Sequence, residues 1–127
     1  NPNPLVLVLG GARSGKSAYA ERLAKEAGKP VTYVATAGPP RDTEMAERIA
    51  RHQADRPADW RTVEASVDLS APLCEAGGLV LVDCLTLWLT NVVLGDHDVA
   101  AETGRLLAAL EARRTPVVAV IPRRIGI

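Results

Sequence analysis

Gly10-Gly11-Ala12-Arg13-Ser14-Gly15-Lys16-Ser17 is a complete G-x-x-x-x-G-K-[ST] phosphate-binding loop. It follows the apolar run Leu5-Val6-Leu7-Val8-Leu9 and opens a helix-prone stretch that extends to Ala27. Strand, loop and helix in that order are the context in which the motif carries meaning. The glycines let backbone N–H groups turn toward a β-phosphate, and the start of the helix adds a favourable field. In such a loop Lys16 reaches the β/γ oxygens and Ser17 ligates Mg²⁺. A plain Gly-rich turn would not call for Lys and Ser after the second glycine. The stretch therefore predicts binding of a nucleoside triphosphate.

Outward from the loop, apolar and helical segments alternate. The first strand, Leu5–Leu9, is followed by a helix from Lys16 to Ala27, which ends near Gly28-Lys29-Pro30. A second strand, Val31–Ala35, leads into the loop Thr36-Ala37-Gly38-Pro39-Pro40. Asp42 or Thr43 can cap a helix that runs to about Asp55 and that Pro57 prevents from continuing. Arg61–Glu64 is a short strand, and Val67–Glu75 is ambiguous. Gly77-Gly78 precedes Leu79-Val80-Leu81-Val82-Asp83, a continuous apolar run of the kind buried inside a sheet. Leu85–Leu94 and Val99–Arg113 read as helices and Val117–Ile121 as the last strand. This rhythm predicts an α/β fold: a mainly parallel sheet with helices on both faces, of the P-loop NTPase kind.

The composition bounds the rest. The 127 residues read as one domain, 1–127, with an ordered core at 5–121 and Asn1-Pro2-Asn3-Pro4 as a lead-in. That is short for a complete nucleotide-binding α/β enzyme. Apolar residues make up 47% with no Phe, so the core must be built from Val, Leu, Ile and Ala. Fifteen basic residues balance fifteen acidic ones, which offers no footprint for a nucleic acid or a membrane surface. Two cysteines, Cys74 and Cys84, cannot make a disulfide framework; they read as small core residues in a cytoplasmic protein. The first apolar run is too short for a signal-peptide core or a membrane span.

Two more groups could carry chemistry. Asp83 ends a buried strand downstream of the loop, where a Mg²⁺-associated carboxylate belongs, and a strand-end Asp can also cap the next helix. His52 shares a helix face with Met45 and Ile49, and Arg48 and Arg56 lie four residues to either side. Arginines there would stabilise oxyanions and keep the imidazole neutral and able to attack. Spacing alone still favours the plainer reading, a half-buried structural histidine on an amphipathic helix. His97 has no partner at metal-ligand spacing and reads as surface. Trp60 and Trp88 read as packing residues.

Three strings now align with one family. They are the loop Gly10–Ser17, the stretch Arg48-Ile49-Ala50-Arg51-His52-Gln53-Ala54-Asp55-Arg56-Pro57-Ala58-Asp59-Trp60-Arg61-Thr62-Val63-Glu64, and Val82-Asp83-Cys84-Leu85-Thr86-Leu87-Trp88-Leu89-Thr90-Asn91. From about Leu5 to Val120 the chain resembles the bifunctional adenosylcobinamide kinase/adenosylcobinamide-phosphate guanylyltransferases of cobalamin biosynthesis. The resemblance implies two reactions. A nucleoside triphosphate, ATP or GTP, phosphorylates adenosylcobinamide; GTP then gives GMP to an enzyme histidine, which passes it to adenosylcobinamide phosphate.

The matching histidine is His52, with Lys16 as the other catalytic group. The implied nucleotide contacts are Gly10, Gly11, Ala12, Arg13, Ser14, Gly15, Lys16 and Ser17 in the loop, and Ala35, Thr36 and Ala37 after the second strand. Gln53, Ala54, Asp55 and Arg56 follow the histidine, and Glu64 and Asp83 are the acidic positions. Asp83 has two possible tasks, reading guanine N1–H and N2–H₂ or, with Ser17, holding Mg²⁺. A homotrimer is the implied assembly.

The family continues past the strand resembling Val117–Val120 with an Asn-Glu-Val-Gly loop, a helix and a strand. Here Ile121-Pro122-Arg123-Arg124-Ile125-Gly126-Ile127 follows instead. A C-terminally shortened chain is expected, with a sheet edge and apolar surface left uncovered. Two competing readings remain: another P-loop small-molecule kinase with a structural His52, and a shortened module that binds GTP without turnover.

Overall fold

The computed structural model describes residues 2–10, 15–37 and 42–122. The elements run β1 (Leu5–Gly10), α1 (Lys16–Glu26), β2 (Val31–Ala35), α2 (Thr43–Asp55), β3 (Arg61–Glu64), α3 (Ser70–Glu75), β4 (Leu79–Asp83), α4 (Leu85–Leu94), α5 (Val99–Glu111) and β5 (Val117–Pro122). The ambiguous stretch after β3 resolves into α3, which starts where Asp68 accepts from the Ser70 backbone N–H at 3.0 Å and from its hydroxyl. Two helices stop earlier than the periodicity suggested, α1 at Glu26 and α5 at Glu111, with Ala27 and Ala112 as their C-caps.

The strands form one five-stranded sheet in the order β1-β5-β4-β2-β3, and every neighbouring pair is parallel. The α/β reading holds. Alternation along β4 divides the core into two layers. Leu79 and Leu81 point to the face where α1 supplies Ala20 and Ala24, joined by Val31, Tyr33, Val118 and Val120. Val80 and Val82 point to the opposite face, against Leu73 of α3, Trp88 and Val92 of α4 and Ala109 of α5. Helices thus lie on both faces, and a chain without Phe builds its core from small aliphatic side chains, as its composition requires. Trp88 is buried with its indole N–H donating to the Val67 carbonyl at 2.7 Å. Trp60 packs partly buried on the α1 side, and His97 is exposed.

Gly78 is required by contact. A Cβ there would lie 2.0 Å from the Pro30 carbonyl oxygen, where the chain closes in so that Leu79 N–H can bond Pro30 at 2.8 Å. Among the described strands β1 and β3 are the sheet edges. On β1, Leu5, Leu7 and Leu9 are 40%, 50% and 65% exposed, so an apolar row faces solvent beside an unpaired edge.

Parallel pairing puts all the strand C-termini at one end of the sheet. Gly10 pairs with Pro122, Asp83 with Val120, and Ala35 with both Asp83 and Glu64. Ligand crevices in open α/β sheets form outside that end.

Candidate functional site

The loop that decided the fold leaves β1 at Gly10 and enters α1 at Lys16. Gly15 caps α1 in the left-handed region (φ 76°), a conformation open to glycine at little cost. Residues 11–14 lie outside the described set, as do the side chains of Ser17, Met45, Arg48, Ile49, His52, Gln53 and Asp55. The backbone of His52 lies in α2, three residues before that helix ends at Asp55.

A hydrogen-bonded clasp draws together the ends of β2, β3, β4 and the start of α4. Thr36, fully buried, donates its hydroxyl to the Cys84 carbonyl at 2.7 Å and accepts from the Cys84 N–H at 2.8 Å. The Thr36 N–H bonds the Asp83 carbonyl at 3.2 Å, and the Ala65 N–H bonds Ala35 at 3.0 Å. From α4, the Asn91 side-chain amide donates to the carbonyls of Thr36 at 2.7 Å and Ser66 at 3.0 Å. Buried hydroxyls and amides matched in this way fix the strand ends, because any slip leaves polar groups unpaired.

Within this frame Tyr33 lies at the junction of three elements. Its phenol, on β2, donates to Asp83 Oδ2 on β4 at 2.5 Å. Its ring carries the guanidinium of Arg56, just past α2, with the Arg56 Cζ 3.5 Å from the ring centroid. Arg56 Nη1 also donates to Thr62 Oγ1 at 3.4 Å, while its Nε is buried with no hydrogen-bond partner among the described residues. Burial first, and then the charge and hydrogen bond of Asp83, push the Tyr33 phenol far above its ordinary value. It therefore stays a proton donor to the carboxylate throughout the physiological range.

Cys84 is more than core filler. It caps α4, its sulfur accepting from the Leu87 N–H at 3.4 Å. Burial holds its thiol above the ordinary value; Asp83 adds to that, while the Leu87 N–H and Lys16 pull the other way. A protonated thiol is a poor nucleophile, so this cysteine is structural. Cys74 packs half-buried against the α3–α5 layer, and both cysteines are free.

Among the residues expected to contact nucleotide, the fold gathers Gly10, Gly15, Lys16, Ala35, Thr36 and Asp83 at one end of the sheet, while Arg56 leaves the far end of α2 and reaches back over Tyr33 and Thr62. Glu64 stands exposed on the edge strand, in register with Ala35 on the side away from Asp83. Strand spacing puts the backbones of the two acidic positions about 10 Å apart. Ala37 follows Thr36 in half-buried loop, and Ala54 is exposed on α2. Sequence reasoning missed Tyr33 and Asn91. Alternation along β2 puts Tyr33 on the same face as Ala35, and a buried Tyr needs a partner for its hydroxyl, so that signal was present. Among the described residues no group of three or more His, Cys, Asp or Glu side chains could hold a metal ion.

Comparison with known proteins shows the family. The family model described as cobinamide kinase / cobinamide phosphate guanyltransferase matches residues 6–125. The bifunctional adenosylcobalamin biosynthesis protein CobP of Pseudomonas aeruginosa is 60% identical over 93 residues, covering 71% of this chain and 53% of the relative. The bifunctional adenosylcobalamin biosynthesis protein CobU of Escherichia coli is 41% identical over 100 residues, covering 74% and 54%. Its Salmonella typhimurium counterpart is 40% identical over 100 residues, with the same coverage. The chain spans about half the length of the curated relatives it matches. With a phosphate-binding loop, a parallel sheet and an acidic strand end arranged as above, the chain belongs to the cobinamide kinase / cobinamide phosphate guanyltransferase family.

Proposed function

We propose that this chain works in cobalamin biosynthesis, phosphorylating adenosylcobinamide and then transferring GMP from GTP to adenosylcobinamide phosphate. One observation carries the reading: the Asp83 carboxylate, fixed by the Tyr33 phenol at 2.5 Å, ends β4 at the same end of the sheet at which Gly10 leaves β1 and α1 begins. In the kinase step the substrate hydroxyl oxygen takes the γ-phosphoryl group and loses its proton, and a nucleoside diphosphate leaves. Lys16 draws charge from the β/γ oxygens.

In the second reaction a ring nitrogen of His52 attacks the α-phosphorus of GTP. A P–N bond forms as the bond to the bridging oxygen breaks, and pyrophosphate leaves. A phosphate oxygen of adenosylcobinamide phosphate then displaces the imidazole, giving adenosylcobinamide-GDP and free histidine. The Arg56 Nε–H, buried and with no hydrogen-bond partner among the described residues, is suited to an anionic oxygen of the nucleotide. The loop residues Gly10 to Ser17, with Ala35, Ala37, Gln53, Ala54, Asp55 and Glu64, complete the proposed nucleotide contacts; Thr36, fully buried with its polar groups committed to Asp83, Cys84 and Asn91, supports the strand ends instead.

Mg²⁺ fits this site, since Asp83 Oδ1 accepts no hydrogen bond among the described residues and Mg²⁺ takes one or two carboxylates beside phosphate and water. Ser17 and Asp83 would hold it, and when bound it neutralises phosphate charge. We also propose a cytoplasmic homo-oligomer, a trimer by analogy with the family; the free cysteines fit a reducing compartment. No helix among the described residues is long and apolar enough to cross a membrane.

The test is intact-mass analysis after incubation with GTP and Mg²⁺, with ATP and His52→Ala as controls. An acid-labile adduct of GMP mass is expected with GTP only, and none in the variant. Folded protein that binds GTP but acquires no adduct would overturn the transferase assignment.

A further inference from the structure

The carboxylate of Asp83, at the end of β4, and the guanidinium of Arg56, reaching back from beyond α2, both come to Tyr33, and left alone two such groups pair with each other. They do not: no ion pair joins them among the described residues. Tyr33 lies between them, giving its hydroxyl to the carboxylate at 2.5 Å and its ring face to the guanidinium at 3.5 Å. Its ring is 4% exposed, fixed in the α1-side core with Val31, Leu79 and Leu81, so the phenol cannot swing away. Asp83 is thereby aimed through one oxygen while Oδ1 remains for a ligand. Arg56 is seated with Nε bonded to none of the described residues.

We infer that Tyr33 is a positioning residue of the nucleotide site, holding Asp83 and Arg56 apart and oriented so that both stay available to bound GTP. The inference rests on the nucleotide reading above. Its chemistry is specific: one neutral donor replaces an ion pair, so the acid and the base each keep a free valence. A residue that only filled the core would need no hydroxyl. Phe would fill the same space.

The experiment measures the dissociation constant of GTP with Mg²⁺ for the unaltered chain, Tyr33→Phe, Asp83→Asn and the double variant, with a thermal melt for each. Loss of one hydrogen bond to a charged group predicts GTP binding weakened about tenfold or more in Tyr33→Phe. Its melting temperature should stay within a few degrees, because the ring packing is kept. If Tyr33 acts through Asp83, the double variant binds no more weakly than Asp83→Asn alone, a coupling that a merely structural residue would not show. Tyr33→Leu also removes the seat of Arg56, and its rate of adduct formation at saturating GTP should fall below that of Tyr33→Phe. Unchanged GTP binding in Tyr33→Phe, or losses that multiply in the double variant, would overturn the inference while leaving the nucleotide reading standing. An unaltered chain that is folded and binds no GTP would overturn the nucleotide reading, and this inference with it.

Discussion

Thr36 shows how one side chain can hold a site. Its hydroxyl both donates to and accepts from the Cys84 backbone, 48 residues away, and no solvent reaches it to replace either bond. Thr36→Val keeps the volume but leaves a buried N–H and carbonyl without that partner. Unfolding in urea should show a loss of about 1–3 kcal/mol, at the upper end if both groups stay dry. A loss below about 0.5 kcal/mol would mean that water enters and the clasp is not closed. The importance of Thr36 was only half legible in the sequence. The family resemblance alone made it an expected nucleotide contact, and nothing local showed that its hydroxyl is committed to another strand. Tyr33 is similar: its strand and face could be read, its two partners could not.

At the scale of elements, the period-2 and period-3.6 patterns located nearly every strand and helix, because those periods reflect backbone geometry that each segment adopts alone. The exception was the stretch now seen as α3, too short for a period to register; its start depends on the Asp68 turn and its burial on Leu73. How α4 is joined to the sheet was not legible either. Asn91 reaches from that helix to the ends of both β2 and β3. Asn91→Ala should cost about 2 kcal/mol through the two lost bonds. Amide exchange at Thr36 and through α4 should quicken more than in the α1 layer. Uniform quickening over both layers would show that Asn91 supports global stability and not this junction.

Over the whole molecule, the two-layer core is well covered at β4 and β5 and bare at β1. Leu5, Leu7 and Leu9 form an exposed row beside a strand edge that no other described strand pairs, an arrangement prone to edge-to-edge association. Leu7, 50% exposed, can be replaced by Lys at little cost to the fold, within about 0.5 kcal/mol. Leu7→Lys should lower concentration-dependent association measured by light scattering; unchanged association would assign that behaviour to another surface. By itself the sequence determined the phosphate-binding loop, the alternation of strands and helices, and the acidic strand end at Asp83, because each depends on residues close together in the chain. Only the tertiary structure decided the strand order, the exposed β1 edge, and the grouping of Tyr33, Asp83 and Arg56. Those partners stand 50 and 23 positions from Tyr33, and contacts across such separations form when the sheet closes, which no local pattern encodes.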